Sequence, residues 1–449
     1  MNYKILAILM ASTMTVQLFS QQANATRKNA AVHVTAAQSV ARAMANQPLI
    51  QAAQAAVQSA RAKLGQARSS YFPNVGGTAT WNHIIPNEQF QFGDEMFTMQ
   101  PTDYWNFNVG ANQLIYDFGK REFEVKLAES GIDAALIDVR QIATNIAFET
   151  RKTFYSVLYL SEEVDSLDGR VANLEQHRAE AQKREATGSS TKLDVLSTEV
   201  SVAAAKTDRI DAADQLERQK TRLRQLMGLT PDDTVVVEGD FVPGSIVGDQ
   251  ASLIEGALAN RTDFLRAMKA EEMSRLNETL ASLGNRPSIT ACAGLGFKNG
   301  LFTIDTPDLN KLQFDWQVGI GLDVPIFDGF LTANKTAEAA GKLAASKAET
   351  ENLRRAIIAQ VVQAIRSLDA SRSRVGNSMS QLAQANDALS IAKDQYDLGV
   401  ATNLQYLDAQ NSLEVAKLNH LNALYKEALS EIELDEAVGK ITSDVQIPR

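Results

Sequence analysis

Two stretches of the chain, 119–228 and 330–439, repeat apolar positions at alternating steps of three and four. In the first, Val139, Ala143, Ile146, Thr150, Thr153, Val157, Leu160, Val164, Leu167, Val171 and Leu174 recur about every 3.5 residues, the period of a supercoiled helical seam. In the second, Leu353, Ile357, Val361, Ala364 and Leu368 keep a similar spacing, and Leu382, Leu389 and Tyr396 continue at sevens. All ten prolines fall outside both stretches, as they must if these are helices, whose interiors exclude proline most strongly. At about 1.5 Å per residue, a helix from Gly119 to Thr187 spans roughly 100 Å and a return helix from Thr191 to Met227 about 55 Å. The helix from about Thr35 to Ser69 is about as short, so two short helices stacked end to end match one long one. The pattern predicts a helical cylinder with a mid-height seam that holds Thr230 to Gly248 and the C-terminal tail.

Between Pro73 and Asp117, and again between Pro287 and Asp328, the period falls to two. Phe314, Trp316, Val318, Ile320, Leu322 and Val324 alternate with Asp315, Gln317, Gly319, Gly321 and Asp323, which gives a strand one apolar and one polar face. Ile289 to Lys298 and Trp105 to Asn112 alternate likewise, and Val75 to Ile85 less cleanly. Two β-hairpins are predicted, at about 74–116 and 288–327, with strands of about the 9 to 11 residues that a tilted strand needs to cross a bilayer. Trp81, Trp105 and Trp316, all the tryptophans of the chain, lie in these strands, as aromatic belts at membrane interfaces would have them. Two hairpins capping a soluble helical domain would alternate in the same way. In lipid, four strands cannot close a barrel, because eight is about the smallest number and an open edge leaves backbone groups unbonded. The protomer must then oligomerise, and period and length alone fit two, three or four copies.

The chain is written twice. Asp117, Gly188, Thr191, Leu193, Leu196, Leu223 and Gly228 meet Asp328, Gly399, Thr402, Leu404, Leu407, Leu434 and Gly439 at a constant offset of 211. Upstream the offset is 214, pairing Ala45-Asn46 with Ala259-Asn260 and Pro73 with Pro287. This is a tandem duplication, with repeats expected at 26–238 and 239–449. Each repeat runs helix, β-hairpin, long helix, glycine, return helix.

Ahead of the repeats, Lys4, the apolar run from Ile5 to about Leu18 and Ala23-Asn24-Ala25 predict an export signal over 1–25. The mature chain would carry 43 Lys and Arg against 54 Asp and Glu, a net charge of −11, which argues against nucleic acid as a partner. Nowhere later do about 18 consecutive apolar residues occur, so a membrane segment must be β. Cys292 is the only cysteine and can form no intramolecular disulfide. His33, His83, His177 and His420 show no metal-ligand spacing, and neither a G-x-S-x-G nor a phosphate-binding loop occurs. No enzymatic activity, metal or cofactor is expected.

The most specific residues are Tyr396-Asp397-Leu398-Gly399-Val400-Ala401-Thr402-Asn403-Leu404-Gln405-Tyr406-Leu407-Asp408, its counterpart Gly188-Ser189-Ser190-Thr191-Lys192-Leu193-Asp194-Val195-Leu196, Pro325-Ile326-Phe327-Asp328-Gly329 and Leu226-Met227-Gly228. Together they resemble the TolC family of outer-membrane efflux proteins over essentially the whole mature chain. The resemblance implies an α+β membrane protein. It would be a homotrimer with four strands per subunit in a twelve-stranded barrel in the outer-membrane lipid and a helical tunnel in the periplasm. It also implies an exit duct of a tripartite efflux or type I secretion system, served by a periplasmic adaptor and an inner-membrane efflux pump or ABC secretion ATPase.

By the same resemblance Gly188, Ser189, Thr191 and Leu193, with Gly399, Val400, Thr402 and Leu404, form the tip turns where the adaptor docks. Asp194 and Tyr396 match a latch that holds the tip shut. Ala401 stands where the family carries an arginine, leaving Lys192 as the nearby cation. Asp408 keeps one aperture carboxylate, and Gln405 replaces the other. A periplasmic or surface coiled-coil scaffold with no pore is the competing reading. It explains the heptads and the export signal but not the strand alternation.

Overall fold

The computed structural model describes residues 31–98, 100–241, 248–300 and 308–440. The predicted export signal, residues 242–247 of the segment assigned to the seam and residues 441–449 of the tail lie outside them. The chain divides into two compact units, 1–51 with 140–262 and 355–449, and 52–139 with 263–354, so each draws on both repeats.

In the second unit the four predicted strands form one antiparallel sheet. These are β2 (Asn74–His83), β5 (Asp103–Tyr116), β7 (Ser288–Lys298) and β8 (Gln313–Asp323), in the order β2-β5-β7-β8. Each repeat supplies a strand pair, and the two pairs join where β5 meets β7, with Val109 opposite Leu295 and Phe107 opposite Phe297. Alternation sets the faces: Val109, Leu295, Trp316, Val318 and Ile320 stand exposed on one, while Asn108, Gly110, Gly294, Gly296 and Gln317 alternate with them. A bulge between Leu114 and Tyr116 shifts the register just before the last β5–β7 pair, Tyr116 with Ile289. One addition was not predicted. The loop between β2 and β5 carries its own small hairpin, β3 (Gln89–Phe92) and β4 (Glu95–Thr98), turned at Gly93 with φ 67. The helices of this unit are tied by half-exposed ion pairs, Arg266–Asp138 at 2.7 Å and Arg68–Glu129 at 2.8 Å, which contribute little each.

The other unit is helical, built on most of α3 (Lys120–Ala186), α4 (Lys192–Met227), the later part of α7 (Leu331–Asp397) and α8 (Asn403–Val438). From Ala143 to Leu167 every predicted seam residue of α3 is buried, and Leu174 is too. On α7, Ile357, Val361, Ala364 and Leu368 are buried, after which Ser371 and Ser378 take the seam. Their hydroxyls meet Ser430 Oγ at 3.0 Å and His420 Nδ1 at 3.1 Å. The apolar pattern fades there because hydroxyl pairs replace it. A short parallel pair, β1 (Val32–Val34) with β6 (Val235–Val237), packs Val34 and Val235 on Val157, Leu160, Leu223 and Met227. Three residues are too few to show a period in sequence.

The helix expected over Thr35 to Ser69 is broken. It consists of α1 (Ala36–Asn46) and α2 (Pro48–Ser69), because Pro48 lacks an N–H and its ring clashes with the preceding turn. The second repeat breaks at the position 214 later, between α5 (Gln250–Asn260) and α6 (Thr262–Ser282), with no proline. Gln47 and Arg261 leave the helix with ψ 121 and 123. Each break docks on the end of a return helix and satisfies carbonyls that a helix end leaves unbonded. Asn46 Nδ2 donates to Met227 O at 3.1 Å, Gln47 Nε2 to Leu226 O at 2.7 Å, and Arg261 Nη1 to Ala437 O at 3.4 Å. The joint explains Gly228, whose φ is 67 and whose missing Cβ would stand 2.7 Å from Asn46 Cβ.

Gly228→Ala should therefore destabilise the protein by about 1–3 kcal/mol, from left-handed strain and a displaced Asn46. Gly188→Ala, at φ 77 with open space around it, should cost only the strain. Denaturant midpoints of both variants check this, and equal shifts would remove the joint from the explanation.

Candidate functional site

The two turns named from the sequence are built alike. Helix α3 ends in a Schellman motif, with Ser189 N donating to Arg184 O at 2.7 Å and Gly188 N to Glu185 O at 2.9 Å. Helix α7 ends the same way, Val400 N on Gln395 O at 2.8 Å and Gly399 N on Tyr396 O at 3.0 Å. The left-handed residues are Gly188 and Gly399, at φ 77 and 75. Each return helix opens with a capping box. Thr191 Oγ1 accepts from Asp194 N at 3.2 Å while Asp194 Oδ2 accepts from Thr191 N at 2.9 Å. In the second turn Thr402 and Gln405 repeat this at 3.3 and 2.8 Å.

Asp194 and Gln405 thus occupy one position of the duplicated motif, the first charged and the second neutral. The Thr191 N–H holds the Asp194 carboxyl below the ordinary aspartate range, and the Thr191 and Ser190 hydroxyls act in the same direction. Around the boxes Leu193, Leu398, Val400 and Leu404 are exposed, between 65% and 80%. Lys192 and Asp408 are exposed as well, Asp408 on the wall of a groove of about 320 Å³ with Arg170, Val200, Leu404 and Lys417.

Tyr396 is buried in a cluster that brings the two turns together. Its ring stacks on Tyr406 with centroids 5.4 Å apart, meets the His177 ring edge-on at 5.4 Å, and lies 4.5 Å beneath the Arg184 guanidinium. Burial pushes the Tyr396 and Tyr406 hydroxyls up, so both stay protonated at neutral pH. Asn403, also buried, donates from Nδ2 to Asp194 O at 3.2 Å and lies 2.7 Å from His177 Nε2. The sequence reading missed His177 and Arg184 as members of this site, and gave Asn403 and Tyr406 no role. The duplication held the signal. At an offset of 211 these residues face Ala388, Gln395, Lys192 and Val195, so the cluster sits where the two copies differ.

On the sheet, Trp81 and Trp105 are cross-strand partners with rings 6.0 Å apart, and Trp105 stacks on Phe107 at 6.1 Å. Trp316 lies opposite Leu295, whose other neighbour is Val109. The three tryptophans therefore belong to the end of the sheet nearer β3 and β4. A second set of exposed aromatics, Tyr71, Phe72, Tyr116, Phe118, Phe327 and Phe330, flanks the other end, where the strands enter the helices. An exposed apolar face between two aromatic sets is what a membrane-spanning strand presents to lipid. Among the described residues no helix is long and apolar enough to cross a membrane.

The family described as outer membrane efflux protein matches the chain twice, over residues 39–229 and 253–440. The chain belongs to the outer membrane efflux protein family. It is 23% identical over 378 residues to the outer membrane protein TolC of Vibrio cholerae, covering 84% of each chain. It is 22% identical to the outer membrane efflux protein BepC of Brucella suis, covering 76% of this chain and 74% of that one. Among solved structures it superposes on the outer membrane protein VceC of Vibrio cholerae with a TM-score of 0.75 at 19% identity, over 90% of this chain and 96% of that one. The protein is an outer-membrane efflux channel, with its strands in the outer membrane and its helices in the periplasm, and its family is one of passive channels. The scaffold reading is set aside.

The two capping boxes should respond differently to acid. A depressed pKa means that the Asp194 box is fully formed above the ordinary aspartate range and is lost as pH falls through the lowered value. After correction for the slower intrinsic amide hydrogen exchange in acid, protection at the start of α4 should fall over that window, while the start of α8, held by the neutral Gln405, stays protected. An equal loss of protection at both ends would show that Asp194 is not the titrating support.

Proposed function

We propose that the chain is the exit duct of a tripartite efflux or type I secretion assembly, working as a homotrimer and gated at the paired turns around Gly188 and Gly399. The observation that carries this reading is the four-stranded sheet with its apolar face exposed and, among the described residues, no strand paired to the outer side of either edge strand, β2 or β8. In hydrocarbon those edges must pair with something. Identical copies pairing β8 to β2 close a barrel with no new element, and three copies give twelve strands, the number the family resemblance implies.

The exposed leucines and valine of the two turns, Leu193, Leu398, Val400 and Leu404, suit a partner that covers them. A periplasmic adaptor fits, docking at Gly188, Ser189, Thr191 and Leu193 and at Gly399, Val400, Thr402 and Leu404. Substrate then enters at the turns, crosses the lumen and leaves through the barrel, driven by an inner-membrane pump or ABC secretion ATPase. Asp194, Tyr396, Lys192, Gln405 and Asp408 are the gate residues in this reading, with the Asp408 carboxylates forming a small cation-attracting ring.

Two measurements test it. Light scattering of the detergent-solubilised protein should give three copies, and two or four would overturn the trimer. In planar bilayers the mature protein should show small current steps that grow in Asp194→Ala. Silence from both, with insertion demonstrated, would overturn the gate. Gly399→Val, which forces a β-branched residue to φ 75, should cost adaptor docking, and full export by that variant would take the second turn out of the docking surface.

A further inference from the structure

We propose that His177 and Arg184 are positioning residues of the gate: with Asn403 they tie the second turn to the first helix pair within one chain, and this tie must break for the tip to widen. The inference rests on the tip-gate reading above, and it identifies what holds that gate shut inside each subunit.

Asn403 is the first residue of α8 and is 4% exposed. Its Nδ2 reaches Asp194 O at 3.2 Å and the Ser197 and Thr198 hydroxyls at 3.4 Å each. A backbone carbonyl can only accept, so the amide nitrogen must face α4 and Oδ1 must face α3. That oxygen lies 2.7 Å from His177 Nε2. It too can only accept from the imidazole, so Nε2 carries the proton. One side chain therefore binds three helices, and its orientation fixes the tautomer of a histidine that is 3% exposed.

Arg184 completes the tie from the partly exposed side. Its guanidinium donates to the Asp397 carboxylate at 3.0 Å and to Tyr396 O at 3.4 Å while lying over the Tyr396 ring. Position 401, where the family pattern has an arginine, is alanine. Here the cation beside Tyr396 comes from the first repeat instead. The His177 ring, packed against Tyr396 and Tyr406 at 5.4 and 4.5 Å, keeps water from the amide bond, and bonds in such surroundings are stronger than in solvent.

The tie runs one way. The offset of 211 places Ala388, Gln395 and Lys192 opposite His177, Arg184 and Asn403, and none of them can rebuild the imidazole–amide bond. Any movement of the α7–α8 turn away from α3 and α4 must part the imidazole from the amide, pull the amide off α4 and separate Arg184 from Asp397.

Single-channel recording of the full mature protein tests this. His177→Ala and Asn403→Ala should each raise the open-to-shut ratio roughly tenfold, the worth of one buried hydrogen bond. His177→Gln, whose amide nitrogen can donate to Asn403, should return it close to wild type. Arg184→Gln, at a partly exposed position and so least liable to impair folding, should move it in the same direction as the alanine variants.

Melting temperatures are measured alongside. A drop in every variant with an unchanged open-to-shut ratio would make the cluster a structural core and overturn the tie. If Asp194→Ala opens the channel while His177→Ala, Asn403→Ala and Arg184→Gln do not, the gate stands and the tie falls. If none of the four changes the current, the gate reading falls and the tie with it. A proton on His177 Nδ1 with none on Nε2, seen by nitrogen NMR, would also overturn it.

Discussion

A backbone N–H or C=O in hydrocarbon has no water to bond, and each unsatisfied group costs several kcal/mol. The architecture follows from this constraint. Each repeat supplies two strands, and the two pairs join through β5 and β7 into a four-stranded sheet, still too few to close. The duplication therefore supplies half a solution, and the proposed association of copies would supply the rest. The polar face of the sheet, rich in asparagine and glycine, is free to line a lumen because the apolar face has already been given to lipid.

The helical part solves a different problem, how to keep long helices aligned without a globular core. Its answer is a seam of small and branched apolar residues along α3, from Val139 to Leu174, nearly all buried, together with joints that fasten helix ends. At those joints the broken short helices carry Asn46, Gln47 and Arg261 onto the last carbonyls of the return helices. Gly228 and Gly439 are the residues whose lack of a side chain lets the backbones meet, with Asn260 C only 3.1 Å from where a Gly439 Cβ would stand. The same joint is built with a proline in one repeat and without one in the other. Docking, rather than proline alone, therefore keeps the second helix broken.

At the two turns the duplication has diverged. Both copies retain the glycine, the threonine cap and the box partner, because reversing a helix pair requires them. What differs is the polar chemistry packed behind them. A charged box faces a neutral one, and His177, Arg184 and Asn403 have no equivalents in the opposite register. A symmetric pair of turns would place equal restraints on both helix pairs, whereas this arrangement anchors the second pair on the first.

Local pattern alone determined a good deal: the long helices from their 3.5-residue period, the four strands from alternation, the helix reversals from glycine, and the duplication from a constant offset. Each of these is a preference of consecutive residues for one backbone geometry, legible without knowing any distant neighbour. Pro48 is legible in the same way as the point where the helix from Thr35 to Ser69 breaks. Only the tertiary structure decided which distant groups meet. The β1–β6 pair, the seating of Asn46 on Gly228, the hydroxyl pairs at Ser371 and Ser378 and the His177–Asn403 bond join residues 42 to 226 positions apart. None has a local signature, because burial makes a histidine, an asparagine or a serine favourable only once its partner is in place.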